Sequence, residues 1–227
     1  MNYILNIHTT TENAVVNLCN ASKVITTLEN PDPKKHASFL HMAVEQILND
    51  TGVKANDLSA VGVTCGPGSY TGIRVGLASA KGLCFALNIP LISLNTLEIM
   101  GLSLIEIVKD KNALYCPMVD ARRMEVFSAV YGHDLKEVIP ASAVVLSENT
   151  FQDLIAAQPV YFSGSGVPKL KKLNSQLPDS RFFSEVSISS ESLCACSWEK
   201  FQAKIFENIE NASPLYLKEF YTVERNK

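Results

Sequence analysis

Residues 66–74 are Gly66-Pro67-Gly68-Ser69-Tyr70-Thr71-Gly72-Ile73-Arg74, and this stretch decides the fold. The β-branched run at residues 60–64 precedes it and predicts a buried strand. The first three residues predict a turn, because proline fixes φ while glycine tolerates a positive φ or a close backbone approach. Ser69 or Thr71 then supplies the N-cap of a helix that no proline interrupts as far as Leu87. The sequence therefore predicts a strand, a tight loop and a helix.

This loop has the general form of an anion-binding site, since free N–H groups and the positive end of a helix dipole converge there. Neither common phosphate motif is present, however. A Walker loop has Lys and Ser or Thr directly after its last glycine, where this chain has Ile73 and Arg74. Gly66, Gly68 and Gly72 also miss the spacing of a dinucleotide-binding loop by one residue. The simpler interpretation is a turn that lets the helix pack closely on its sheet.

The helix carries a row of small residues. Gly72, Gly76 and Ala80 recur every four residues and share one face, with Ser79 beside them. Each glycine inside a helix costs about 1 kcal/mol relative to alanine, so the row indicates that another backbone approaches closely. That backbone belongs either to the chain's own sheet and helices or to a partner, and we expect a partner.

Composition limits the class of protein. The 227 residues include 47% hydrophobic and 19% charged side chains, as in an ordinary globular protein. A net charge of −3 argues against a chain that binds nucleic acid unaided. No apolar run reaches the roughly 18 residues of a membrane span, and no basic start of a secretion signal is present. The six scattered cysteines fit buried thiols, so we expect a cytoplasmic protein with no membrane contact.

The central motif carries a resemblance to a known family. Residues 66–76, followed by Ala78-Ser79-Ala80-Lys81-Gly82-Leu83, resemble the signature of the TsaB (YeaZ) family. The similarity continues in the element at 120–127 and in the tail at 214–219, where Lys218 stands at a position often occupied by arginine. It covers nearly the whole chain and is strongest from residue 58 to residue 100. The family-motif positions are Gly66, Pro67, Gly68, Ser69, Thr71, Gly72, Arg74, Asp120, Arg122 and Glu125.

The resemblance implies an α/β protein with the actin-like ATPase (ASKHA, ribonuclease H-like) fold, built as two mixed-sheet halves with flanking helices. We expect an N-terminal half at residues 1–109, with the helix predicted at 193–209 packing back on it. A smaller C-terminal half is expected at residues 110–227.

The resemblance also implies a function. The family supplies the non-catalytic partner subunit for TsaD, which transfers a threonylcarbamoyl group to the adenosine next to the anticodon of tRNA. We expect a heterodimer with TsaD, TsaE in a larger complex, and a possible homodimer through the same helices. Transfer RNA would bind only through the complex. No cofactor is expected for this chain, while ATP and a metal ion are expected in TsaD.

His8 bears on whether the chain is an enzyme. Residues 3–7, 14–19 and 22–28 predict three strands before any helix, as in actin-like ATPases. In that group an aspartate after the first strand holds magnesium, and imidazole is a poor substitute because magnesium prefers oxygen donors. We therefore expect no catalytic, cofactor-binding or metal-binding residues. The alternatives are an active ATPase or kinase of the same fold, or a glycopeptidase-like protease, for which no Ser-His-Asp or zinc-ligand order is present.

A helix predicted at residues 34–49 carries more apolar surface than one core requires. His36 and His41 lie about 140° apart on it and cannot share a metal ion. We expect a helical bundle between subunits. Its predicted interface residues are Phe39, Met42, Ala43, Gly72, Gly76, Ser79 and Ala80.

Asp120, Arg122 and Glu125 form a second polar group. They have the chemistry of an acid–base set, but such clusters more often form an ion-paired turn before a strand. We expect the turn.

The remaining segments predict alternating strands and helices. A glycine-serine turn at 163–166 precedes a short helix containing Lys169, and in actin-like ATPases the corresponding loop approaches adenosine. The predicted strands are 89–94, 113–119, 126–131 and 160–162, and the predicted helices are 96–108, 147–156 and 193–209.

Overall fold

The computed structural model describes residues 1–186 and 188–218; Glu219, which closes the predicted tail motif, lies outside them. The first sheet contains β1 (Tyr3–His8), β2 (Ala14–Asn20), β3 (Lys23–Asn30), β4 (Leu58–Gly66) and β5 (Leu91–Asn95). Their order is β3-β2-β1-β4-β5. The first three strands pair antiparallel, whereas β4 joins β1 and β5 joins β4 in parallel.

The second sheet repeats this arrangement. It contains β6 (Leu114–Asp120), β7 (Glu125–Tyr131), β8 (Glu137–Val145), β9 (Val160–Ser163) and β10 (Phe182–Phe183), in the order β10-β9-β6-β7-β8. Here too the first three strands pair antiparallel and the last two pair in parallel. Both halves therefore have the same topology, and the predicted two-sheet fold is confirmed.

The α-helices that flank the sheets in the described part of the chain are α1 (His36–Thr51), α2 (Tyr70–Leu87), α3 (Thr96–Val108), α4 (Gln152–Ala157), α5 (Val167–Leu173) and α6 (Ser190–Gln202). Helices α1 and α2 cover one face of the first sheet, where Leu5, Val61 and Leu77 belong to one core. Helices α3 and α6 cover the other face, where Ile4, Ile92 and Leu193 belong to a second core. The boundary predicted at residues 109 and 110 falls between α3 and β6.

Several predicted boundaries were wrong. A 3-10 turn at Pro33–Lys35 precedes α1. The helix predicted at 147–156 begins only at Gln152, because the Thr150 hydroxyl accepts a hydrogen bond from the Ser147 N–H (2.8 Å) within a turn. The helix predicted at 193–209 spans Ser190–Gln202, capped by the Ser189 hydroxyl. Strand β8 was not predicted.

Helix α3 shows why other boundaries were predictable. The Asn95 side chain accepts hydrogen bonds from the N–H groups of Leu97 (2.9 Å) and Glu98 (3.5 Å), so it satisfies donors that the first turn leaves open. The helix ends at Lys109, which has a left-handed φ of 58°.

In the described part of the chain, no helix is long and apolar enough to cross a membrane. All six cysteines are buried and unpaired.

Candidate functional site

A cleft of about 460 Å³ lies between the two halves. It forms where the loops after β1, β4, β6 and β9 meet, and the carboxyl ends of parallel strands are the usual location of sites in such sheets. Helix α2 begins at this cleft. The lining residues are Thr10, Thr11, Glu12, Pro33, Gly68, Ser69, Tyr70, Thr71, Val119, Asp120, Ala121, Arg122, Phe127 and Ser165.

The glycine motif packs directly on the loop after β1. A side chain at Gly72 would overlap the carbonyl oxygen of Thr9, and one at Gly68 would overlap that of Thr10. Two hydrogen bonds hold this approach: Ser69 N–H donates to the Thr10 carbonyl (2.7 Å), and the Thr9 hydroxyl donates to the Gly72 carbonyl (2.7 Å). The Ser69 hydroxyl caps α2 by accepting from the Gly72 N–H (3.2 Å). The glycines therefore permit two loops of the same chain to touch.

The same geometry corrects part of the predicted interface. A side chain at Gly76 would overlap the Thr9 hydroxyl, and Gly72, Gly76 and Ala80 are all buried. Ala43 is also buried, in the core between α1 and the first sheet. The prediction that these four residues face a partner was wrong, because the chain's own sheet and loop occupy that space.

The other predicted interface residues lie nearer the surface. Met42 is 71% exposed, whereas Phe39 and Ser79 are partly exposed. The Ser79 hydroxyl lies 3.5 Å from His41 Nε2, so α1 and α2 lie side by side. His36 instead places Nε2 3.1 Å from the Glu12 carbonyl oxygen. The two histidines thus have separate contacts.

Sequence reasoning missed the most exposed part of α2. Phe85 is 81% exposed, and Ala78, Gly82 and Ala86 form an exposed row beside it. Space around Gly82 is open. No local pattern in the sequence marks Phe85 as exposed, because its exposure depends on which face of α2 meets the first sheet. We call Met42, Ala78, Gly82, Phe85 and Ala86 the α1–α2 surface.

His8 lies buried at the end of β1, beneath the cleft. Its Nδ1 is 3.0 Å from the Thr64 hydroxyl, and its Nε2 is 2.7 Å from the Thr11 hydroxyl. Burial, together with the nearby His36, lowers the pKa of His8 to about 3. The imidazole is therefore neutral at neutral pH and serves to hold the loop that carries Thr10 and Thr11.

The residues around the cleft do not fit a magnesium–nucleotide complex. Both nitrogens of His8 already face threonine hydroxyls, where a magnesium ligand would offer an oxygen. The topologically equivalent residue of the second half is Asp120, at the end of β6. One of its carboxylate oxygens contacts Lys169 Nζ and the Arg122 N–H, each at 2.6 Å. That carboxylate is therefore engaged within the protein.

The group at 120–125 forms an ion-paired turn. Asp120 pairs with Lys169, whose ammonium also donates to the Glu125 carbonyl (3.1 Å). Glu125 pairs with Lys218. Arg122 lines the cleft and is exposed. The structure thus brings Asp120, Arg122 and Glu125 together on one turn, and it adds Lys169, whose pairing was not predicted.

The tail beyond α6 runs beside the central motif. Leu215 N–H donates to the Cys65 carbonyl (2.7 Å), and the Tyr216 ring stacks on Tyr70 with centroids 5.6 Å apart. Arg74 lies over the Tyr70 ring and donates to the Tyr216 hydroxyl (2.9 Å). The predicted motif residue Arg74 therefore fastens the tail to the start of α2.

Comparisons with known proteins agree with this geometry. The family model for "TsaD: tRNA N6-adenosine threonylcarbamoyltransferase" matches residues 31–223. The tRNA threonylcarbamoyladenosine biosynthesis protein TsaB of Bacillus subtilis is 32% identical over 166 residues, which cover 72% of this chain and 67% of the relative. The protein of the same name from Escherichia coli is 34% identical over 131 residues, or 58% of this chain and 55% of the relative.

The fold also matches a solved structure. YeaZ from Pseudomonas aeruginosa superposes with a TM-score of 0.76 at 22% identity, covering 96% of this chain and all of the other. At that identity the match shows the fold alone, and it agrees with the predicted architecture of two mixed sheets with flanking helices. The family itself rests on the sequence matches, and they confirm the resemblance found in the central motif. This chain belongs to the TsaB (YeaZ) family, within the wider group that the threonylcarbamoyltransferase model describes.

Proposed function

We propose that this chain is the non-catalytic assembly subunit of a tRNA-modifying complex. It would bind TsaD, with TsaE joining the larger complex, and support transfer of threonylcarbamoyl to the adenosine next to the anticodon. The names of the two curated relatives place them in this pathway. Transfer RNA would bind through the complex, and only weakly to the isolated chain, whose net charge is −3.

The α1–α2 surface is the observation that carries the proposal. Phe85 is 81% exposed and Met42 is 71% exposed, an unfavourable arrangement for a free chain. On α2, Ala78, Gly82 and Ala86 present small exposed side chains at four-residue spacing, which allows close approach of a second helix. Buried aromatic side chains commonly dominate interface energies. We therefore assign this surface to TsaD, with a homodimer as the competing use of the same helices.

The chemistry of the cleft supports a non-catalytic role. His8 is neutral and both of its nitrogens face threonine hydroxyls, while one carboxylate oxygen of Asp120 is paired with Lys169, so the arrangement does not favour a metal ion. An active ATPase or kinase would need such a carboxylate near the phosphates. We propose that this chain uses no cofactor and that ATP and its metal ion belong to TsaD.

The test compares Phe85→Ser with the matched control Ile107→Ser. Ile107 is 55% exposed and lies on α3, away from the α1–α2 surface. We expect both variants to keep the melting temperature of the wild-type chain, because neither side chain is buried. Binding to purified TsaD is measured by titration calorimetry. Phe85→Ser should weaken this binding at least about 30-fold, which corresponds to a loss of about 2 kcal/mol of binding free energy at an interface hot spot.

Size-exclusion chromatography of the chain alone then separates the two uses of this surface. If Phe85→Ser disrupts a homodimer but leaves TsaD binding intact, the surface belongs to self-association. Equal TsaD binding by Phe85→Ser, Ile107→Ser and wild type would show that the interface lies elsewhere.

A further inference from the structure

The turn between β6 and β7 has an unusual backbone. Arg122 and Arg123 are consecutive residues with positive φ values of 69° and 48°. Residues other than glycine, asparagine and aspartate rarely adopt positive φ values, and those that do often lie at functional sites. Glycine or asparagine would fit the same turn with less strain.

The charges of this turn are not balanced. The acids Asp120 and Glu125 are already paired with Lys169 and Lys218. Within residues 1–186 and 188–218, no acidic side chain forms an ion pair with Arg122 or Arg123, and both arginines are exposed. Glu12 lines the same cleft but lies beyond ion-pair distance of either arginine. The turn therefore presents two uncompensated positive charges on a chain whose net charge is −3.

We propose that the turn at residues 121–124 contacts the phosphate backbone of tRNA within the assembled complex. The proposal rests on the proposed function, since it assumes that the complex carries tRNA. Guanidinium groups bind phosphate with paired, charge-assisted hydrogen bonds. The turn belongs to the second sheet, whereas the α1–α2 surface flanks the first sheet, so the two lie on different halves of the chain. The phosphate contact would add affinity without reading the tRNA sequence.

The main experiment replaces both arginines with residues that suit the backbone, in the double variant Arg122→Asn/Arg123→Gly. The complex with TsaD is titrated with transcribed tRNA at several salt concentrations. We expect affinity to fall about tenfold and the slope of log affinity against log salt to become shallower by about 1 to 2, as expected for two lost phosphate contacts. The melting temperature of the free variant should stay equal to that of wild type or rise by a few degrees.

Two further double variants serve as controls. Lys109→Asn/Lys204→Gly removes two exposed charges from positions that also have left-handed φ values, 58° and 55°. It should leave tRNA affinity within about twofold of wild type. Arg122→Lys/Arg123→Lys keeps the charges, so it should retain the salt slope. It should lose part of the affinity, because an ammonium group cannot make the paired hydrogen bonds of a guanidinium.

Three results would overturn the proposal. One is equal tRNA affinity for wild type and Arg122→Asn/Arg123→Gly. Another is an equal loss of tRNA affinity in the Lys109→Asn/Lys204→Gly control, which would indicate that the effect depends only on the net charge of the chain. The third is weaker binding to TsaD with unchanged tRNA affinity, which would assign the turn to a protein contact.

The isolated chain supplies a readout that does not depend on TsaD. At low salt, its weak binding to the same tRNA should also fall about tenfold in Arg122→Asn/Arg123→Gly. Failure of the wild-type chain to bind TsaD would overturn the proposed function, while this low-salt titration would still decide the role of the turn.

Discussion

Replacing His8 should remove a defined part of the pH dependence of stability. In the folded chain His8 is buried and its pKa is lowered to about 3, whereas its ordinary value is 6.5. Between these two pH values, His8 is therefore protonated in the unfolded chain and neutral in the folded chain. The stabilisation is fully present above pH 6.5 and is lost progressively as the pH falls toward 3, at about 1.4 kcal/mol per pH unit. Between about pH 7 and about pH 5 the loss amounts to about 2 kcal/mol.

The assay is urea denaturation of wild type and His8→Asn across this pH range. The variant should be less stable at pH 7, because the hydrogen bonds to Thr64 and Thr11 are disturbed. Its free energy of unfolding should nevertheless fall by about 2 kcal/mol less than that of wild type on moving to pH 5. His41→Asn, at an exposed histidine, should keep the wild-type dependence. If wild type and His8→Asn lose the same free energy, His8 is not held neutral and the reasoning fails.

Three substitutions test the packing of the helices by the same denaturation assay. Gly76→Ala should lower the free energy of unfolding by about 1–3 kcal/mol, because its methyl group would overlap the Thr9 hydroxyl; unchanged stability would mean that this contact relaxes freely. Gly82→Ala should raise it by about 1 kcal/mol, since the position is an open, exposed helix site; a loss would contradict that geometry. Asn95→Ala should lower it by about 1 kcal/mol through loss of the α3 cap, and no change would show that the cap is dispensable.

Local signals explain why some elements were predictable. The predicted helix at 96–108 matches α3, because Asn95 is an effective cap and the apolar pattern continues to Val108. Strand β8 was missed for the opposite reason. It lies at the edge of its sheet and is largely exposed, and Pro140 interrupts it. Such a strand takes its conformation from pairing with β7, which a local pattern does not reveal.

The central motif shows a different limit. The row at Gly72, Gly76 and Ala80 did indicate close approach, but the approaching groups belong to the same chain: Thr9 lies against both glycines, and Ala80 packs in the core of the first sheet. A row of small residues predicts that another part of a protein packs closely against the helix, but it does not identify that part. The exposed position of Phe85 depends on which face of α2 meets the first sheet, and that arrangement is set by tertiary packing.

The packing of α6 on the first sheet has a consequence for biosynthesis. Strand β5 is complete at Asn95, yet the helix that shares a core with Ile4 and Ile92 begins only at Ser190. At usual rates of translation, a ribosome takes roughly 5–20 s to make the intervening residues. During that time α3 alone can cover this face, so part of it remains exposed on the nascent chain. The first half therefore finishes folding only after the second half has been synthesised. Until then, we expect chaperones that recognise apolar surface to bind the nascent chain.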